Sequence, residues 1–124
     1  MQITMKSTGP KAGEVVFKSP AGEGRGIWCG GPLPEGPVEV EFEFPELLTR
    51  WLDVAPAEEP GERIRTENGK VGFTGILESI DEDGTACLRL DGSILMFECM
   101  GEPLPVGGWV EAWAAEIRIY PVYL

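Results

Sequence analysis

Glu39, Glu41 and Glu43 occupy every second position of VEVEFEF, Val38 to Phe44. Side chains alternate along an extended strand, so the three carboxylates share one face and Val38, Val40, Phe42 and Phe44 share the other. Two kinds of chemistry use such a row. A pair of carboxylates can perform acid–base work on a glycosidic bond, but the acid member then needs a raised pKa. Exposed carboxylates have nothing to raise it. The second use is electrostatic, a negative row turned toward a basic protein partner. A solvated strand face with neither use is the plain alternative.

Trp109 and Trp113 lie four apart, on one side of a strand whose other side carries Val110, Ala112 and Ala114. Either side can be the core. Small residues filling a tight barrel would leave the tryptophans outward as contact anchors. Otherwise they pack under the N-terminal strands.

Other chemistry is thin. The chain has no histidine, which removes Ser-His-Asp and Cys-His catalysis and imidazole proton transfer. Cys29, Cys87 and Cys99 form no CxxC pair, so neither a disulfide framework nor a zinc site is expected. Cys29 stands beside glycines that could expose it, without a local base to activate it, and all three are expected to act as small buried hydrophobes. DEDG, Asp81 to Gly84, is acidic, but the twelfth position of a calcium loop counted from Asp81 is Gly92, so a polar turn is expected. Gly22, Gly24 and Gly26 lack the spacing of a phosphate cradle. No metal and no cofactor is implied.

The net charge is −11 over 124 residues, and it is uneven: +2 over residues 1–34, −8 over 35–62 and −5 over 63–124. Such a field repels phosphate backbones and anionic membranes and attracts basic proteins. MQITMKSTGP has no apolar core of a signal peptide, and no apolar run reaches the ~20 residues of a membrane span. With the odd cysteine count, a reducing cytoplasm is the expected location.

The elements that must hold these residues read as strands. Seventeen glycines and eleven prolines favour many short strands and turns. QITMKS, EVVFKS, RGIWC and VEVEFEF come first. KVGFTGILESI follows, with one slip in its alternation that marks a bulge. TACLRL and SILMFECM flank an Asp91-Gly92 hairpin signal. SILMFECM is apolar on both faces and is expected to be central and doubly covered. WVEAWAAEIRIYPVYL supplies one or two final strands. PELLTRWLD, with Pro45 first and Leu47, Leu48, Trp51 and Leu52 on one side, fits a single short helix. CGGPLPEGPVE (29–39) is similar to CMGEPLPVGGWVE (99–111). Either the two mark similar corners of one barrel, or short motifs coincide.

GFTGILESIDEDGTACLRLDGSILMFE, followed by PLPVGGWVEAWAAEIRIYP, resembles the strand order of OB-fold barrels: a bent glycine-containing strand, an acidic turn, a hairpin, then entry to a later strand. The chain also resembles small acidic bacterial proteins of unassigned function, some of them regarded as immunity proteins. The resemblance implies a ligand face across the middle strands. Nucleic-acid-binding members carry lysine, arginine and aromatic residues where this chain carries glutamate.

The sequence therefore predicts one all-β domain over residues 1–124, a small closed or partly open OB-like barrel of eight or nine short strands with at most one short helix. The expected function is non-enzymatic: a cytoplasmic interaction protein with an acidic surface, in concrete form an immunity protein neutralising a basic toxin, bound through Glu39, Glu41, Glu43, Trp109 and Trp113. No nucleic acid and no membrane is expected as partner. The alternatives are an OB-type nucleic-acid or small-ligand module and an enzyme working with carboxylates alone.

Overall fold

The computed structural model of the chain describes residues 1–122. Twelve strands form one continuous sheet: β1 (Gln2–Thr8), β2 (Glu14–Ser19), β3 (Gly22–Trp28), β4 (Val38–Glu43), β5 (Leu48–Thr49), β6 (Val54–Pro56), β7 (Arg63–Glu67), β8 (Lys70–Ile80), β9 (Thr85–Leu90), β10 (Ser93–Met100), β11 (Trp109–Ala114) and β12 (Arg118–Pro121). The count exceeds eight or nine because β5, β6 and β7 are short strands in stretches that read as helix or loop. The last two residues of the final expected strand lie outside the described residues. No helix is present among the described residues.

The ring of β1, β2, β3, β12 and β4 is a closed five-stranded barrel, consistent with an OB-like barrel. β1–β2–β3 is an antiparallel meander. β12 runs parallel to β3 and antiparallel to β4, and β4 closes on β1.

The other strands repeat this order. β8–β9–β10 is a second meander, and β11 pairs with β8 as β4 does with β1. β5 runs parallel to β10, and β6 antiparallel to β11. Together β5 and β6 hold the place that β12 holds in the first ring. The registers agree residue by residue. Ser19 pairs with Gly22 and Glu14 with Ile27; 71 positions on, Leu90 pairs with Ser93 and Thr85 with Glu98. Trp28 pairs with Ile119, and Cys99 with Leu48. Both first strands carry a bulge at the same place, between Met5 and Ser7 and between Leu77 and Ser79. At the two hairpins, Gly13 (φ 76°) and Gly84 (φ 89°) adopt the left-handed conformation that glycine reaches without strain. Their carbonyls accept the N–H of Trp28 and of Cys99, each at 2.9 Å.

The recurring PLP segments therefore mark corresponding corners of two five-strand arrangements, not two corners of one. The stretch that carries the OB-like resemblance spans β8 to β12, but β12 pairs with β3 and β4 and belongs to the first ring. The fifth strands are exchanged, and the crossovers meet where the Glu46 carboxylate accepts the N–H groups of Ala115 (2.7 Å) and Glu116 (2.9 Å).

Segment 45–52 is β5 and a turn rather than a helix. Leu48 is buried while Leu47 and Leu52 are exposed, and Trp51 has φ 73°. The Asp53 carboxylate accepts the Thr49 N–H at 2.8 Å, which stabilises the turn. The spacing of four apolar residues imitated a helical face, but only Leu48 and the following Val54 point inward.

All five phenylalanines of the chain form one line of ring contacts across both arrangements. Phe17 meets Phe42 at 5.4 Å, Phe42 meets Phe73 at 5.6 Å, Phe73 meets Phe44 at 5.3 Å and Phe44 meets Phe97 at 5.6 Å between centroids. Tilted and edge-on rings at such distances attract beyond their burial.

Candidate functional site

The alternation of β4 appears in the structure as read. Glu39, Glu41 and Glu43 are exposed, Val40 and Phe44 are buried, and Val38 and Phe42 are half-buried against the core. The three carboxylates are not equivalent. Glu39 pairs with the ammonium of Met1 at 2.6 Å, and that ammonium is itself buried. Glu43 pairs with Arg118 at 3.3 Å across the β4–β12 ladder. Among the described residues Glu41 has no ion pair. Glu46, which the sequence places close to this row, is spent on the crossover backbone.

Trp109 and Trp113 lie on the outer face of β11, half-buried, while Val110, Ala112 and Ala114 fill the interior. Trp113 is engaged. Its ring covers Gly72, where a Cβ would come within 2.7 Å of it, so the glycine of the bent strand makes room for the indole. The Arg65 guanidinium lies over the same ring, 4.9 Å from its centroid, in cation–π geometry.

Between the tryptophans sits Glu111, a residue the sequence reading passed over. Its carboxylate accepts hydrogen bonds from Thr74 Oγ1 (3.0 Å), Trp113 Nε1 (2.9 Å) and Arg65 Nη2 (3.3 Å). Burial works against the charge, but these donors and the Arg65 charge outweigh it and hold the carboxyl below the usual glutamate range. Such a group stays ionised near neutrality and fixes its neighbours. The signal available in the sequence was a glutamate two positions from a tryptophan. Arg65, its countercharge, lies 46 residues away and could not be paired with it from the sequence.

Glu111 should make stability acid-sensitive. A folded-state pKa below the unfolded value contributes stability that is complete above the unfolded pKa and lost as pH falls through the folded one. Thermal unfolding of the wild type should therefore weaken more steeply on acidification through the carboxylate range than that of Glu111→Gln. Parallel curves would mean that the cluster contributes no net stabilisation through charge.

The glutamates on β4 and the tryptophans on β11 occupy corresponding strands of the two arrangements. Among the described residues no ion pair, hydrogen bond or ring contact joins the two groups. The remaining candidates separate as well. The Asp83 carboxylate accepts the Thr85 N–H at 3.0 Å, a hydrogen bond that holds its pKa below the ordinary range, and DEDG is a polar turn. Cys99 is buried and Cys87 half-buried, but Cys29 is exposed, against the expectation that all three are core. It stands just past the end of β3, its N–H still donating to Ile119 O at 2.9 Å. Among the described residues no cluster of Cys, Asp and Glu could hold a metal ion, and no helix is long and apolar enough to cross a membrane.

The strand expected to be central and doubly covered is neither. β10 buries Leu95, Phe97 and Cys99 but leaves Ile94, Met96 and Met100 each more than half exposed. Between it and β4 lies a groove of about 420 Å³ bounded by Glu39, Glu41, Phe42, Ile94 and Met96. Glu39 and Glu41, but not Glu43, thus border a largely apolar trough.

The chain matches no known protein family, no curated protein and no solved structure.

Proposed function

We propose that this protein is a non-enzymatic interaction module that presents the acidic face of β4 to a basic protein partner. The observation that carries the reading is Glu41: a carboxylate on a well-formed strand, without a countercharge among the described residues, beside an apolar groove. A solvated face needs no such neighbour. Glu39 and Glu43 add field strength, though each is partly neutralised within the fold. Trp109 and Trp113 fit a supporting role at most, because Trp113 is already engaged by Arg65.

In its concrete form the module is an immunity protein. It would neutralise a basic nuclease by occupying the lysines and arginines that the enzyme uses on phosphate. Its compartment would be the cytoplasm.

The test is kinetic. A partner captured from the native host should associate quickly at low ionic strength and several-fold more slowly as salt rises, with a dissociation rate that changes little. An association rate indifferent to salt would reject the acidic-face reading. Loss of a captured nuclease's activity on complex formation would favour the immunity form.

A further inference from the structure

β10 carries backbone groups that no described strand pairs with along much of one edge. The N–H of Cys99 points toward β9, where it donates to Gly84 O, and the carbonyl of Met100 points the other way, where it accepts the Arg50 N–H. Backbone direction alternates along a strand, so the N–H and C=O groups of Ile94, Met96 and Glu98 face away from β9. On that side β10 pairs, among the described residues, only with β5, at Cys99 and Met100. The corresponding edge of β3 is met at both ends, by β7 at Gly22 and by β12 at Ile27 and Trp28.

Exposed edges are templates for foreign strands, and folded proteins usually blunt them with lysine, proline or a bulge. Residues 93–98, Ser-Ile-Leu-Met-Phe-Glu, contain none of these. The side chains beside the edge are apolar, and the charges around it have one sign. Glu41 faces it across the groove and Glu98 lies on it, both exposed and both without an ion pair among the described residues. Among the described residues no lysine or arginine lines the groove, where the Met1 ammonium pairs with Glu39.

Resting on the acidic-face reading, we propose that the partner adds an extended segment to the β10 edge as an extra strand, its backbone pairing with Ile94, Met96 and Glu98. Ile94 and Met96 meet apolar side chains of that segment, and Glu41 and Glu98 meet its lysines or arginines. Strand addition draws affinity from main-chain hydrogen bonds and specificity from the flanking side chains. The edge supplies the first and the groove the second.

The probe is a short peptide of alternating valine and lysine, titrated into the full chain at low salt, with a valine–glutamate peptide as control. Amide exchange at Ile94, Met96 and Glu98 should slow on addition of the cationic peptide and not of the control. Met96→Pro removes an N–H that bonds no strand among the described residues, so it should leave the ladder intact and weaken binding about tenfold or more. Glu41→Lys, on the opposite wall, should weaken it several-fold with the amide pattern unchanged. If the peptide binds the Met96→Pro variant as well as the wild type, with shifts confined to Glu39–Glu43, the strand-addition proposal fails while the acidic-face reading stands. Failure of the peptide to bind the wild type overturns the proposal too, and the partner's salt dependence still judges the acidic face separately. If the three amides are protected in the protein alone, more so at higher concentration, a second copy occupies the edge and the proposal is wrong. Should Met96→Pro unfold the chain, Glu41→Lys decides, and unchanged binding by that variant rejects the proposal.

Discussion

Replacing Phe73 with alanine should destabilise the protein by about 3–5 kcal/mol, the range for removing a buried aromatic side chain and leaving its cavity. Phe73 is fully buried, and its ring touches both Phe42 and Phe44. Those neighbours belong to the β4 end of the chain, whereas Phe73 itself lies on β8. The substitution therefore cuts the line of five rings in its middle and separates Phe17 and Phe42 from Phe44 and Phe97. Partial collapse is difficult, because each neighbouring ring is held by a different strand or crossover. Denaturant unfolding measures the loss directly. Glu41→Ala is the matched control, exposed and without an ion pair, and should change stability by less than ~0.5 kcal/mol. Similar losses at both positions would contradict the assignment of the core. Phe42, which also points inward, is only half-buried and should cost less than Phe73.

The second large effect is on association. Reversing Glu39, Glu41 and Glu43 to lysine should slow encounter with a basic partner by at least about tenfold at low salt, and the gap should close as salt rises. The three positions contribute differently. Glu39→Lys sets a positive charge beside the buried Met1 ammonium, and Glu43→Lys sets one beside Arg118. The triple variant should thus lose stability as well as association rate, through the cost of an unanswered buried charge. Glu41→Lys alone breaks no ion pair and should keep the fold while slowing encounter. If the triple variant associates at the wild-type rate, the row is a solvated face, and the search moves to Trp109 and Trp113.

Much of the strand content was legible because alternation is a local property. VEVEFEF, TACLRL and the hairpin at Asp91-Gly92 could be read without knowing what they pack against. Features that depend on distant chain were not legible. SILMFECM looked central because Ile94, Met96 and Met100 are as apolar as Leu95 and Phe97; hydrophobicity alone does not tell an interior face from one left uncovered. Glu111 looked like one acidic residue among many until Arg65 and Thr74 arrived from other strands. PLP at two positions hinted at the internal correspondence, but its meaning required the paired registers of β2–β3 and β9–β10. Which ring a fifth strand joins left no mark at all, since Leu48 and Ile119 are equally suited to burial beside either.

The exchange of fifth strands sets an order of events in folding. β12 closes the first ring against β3, about ninety residues earlier in the chain, and pairings between such distant segments slow folding. During synthesis β1 to β4 must wait, unclosed, until β12 has been made, while β5 and β6 are ready long before the β10 and β11 strands they complete. Neither ring can finish without a strand from beyond its own run of four, so closure is a joint event rather than two independent ones. In a refolding mixture the waiting β3 and β4 edges cannot distinguish their own β12 from a neighbour's. High concentration then favours trading that strand between chains, a swapped dimer that reproduces every native pairing at the cost of a shared backbone.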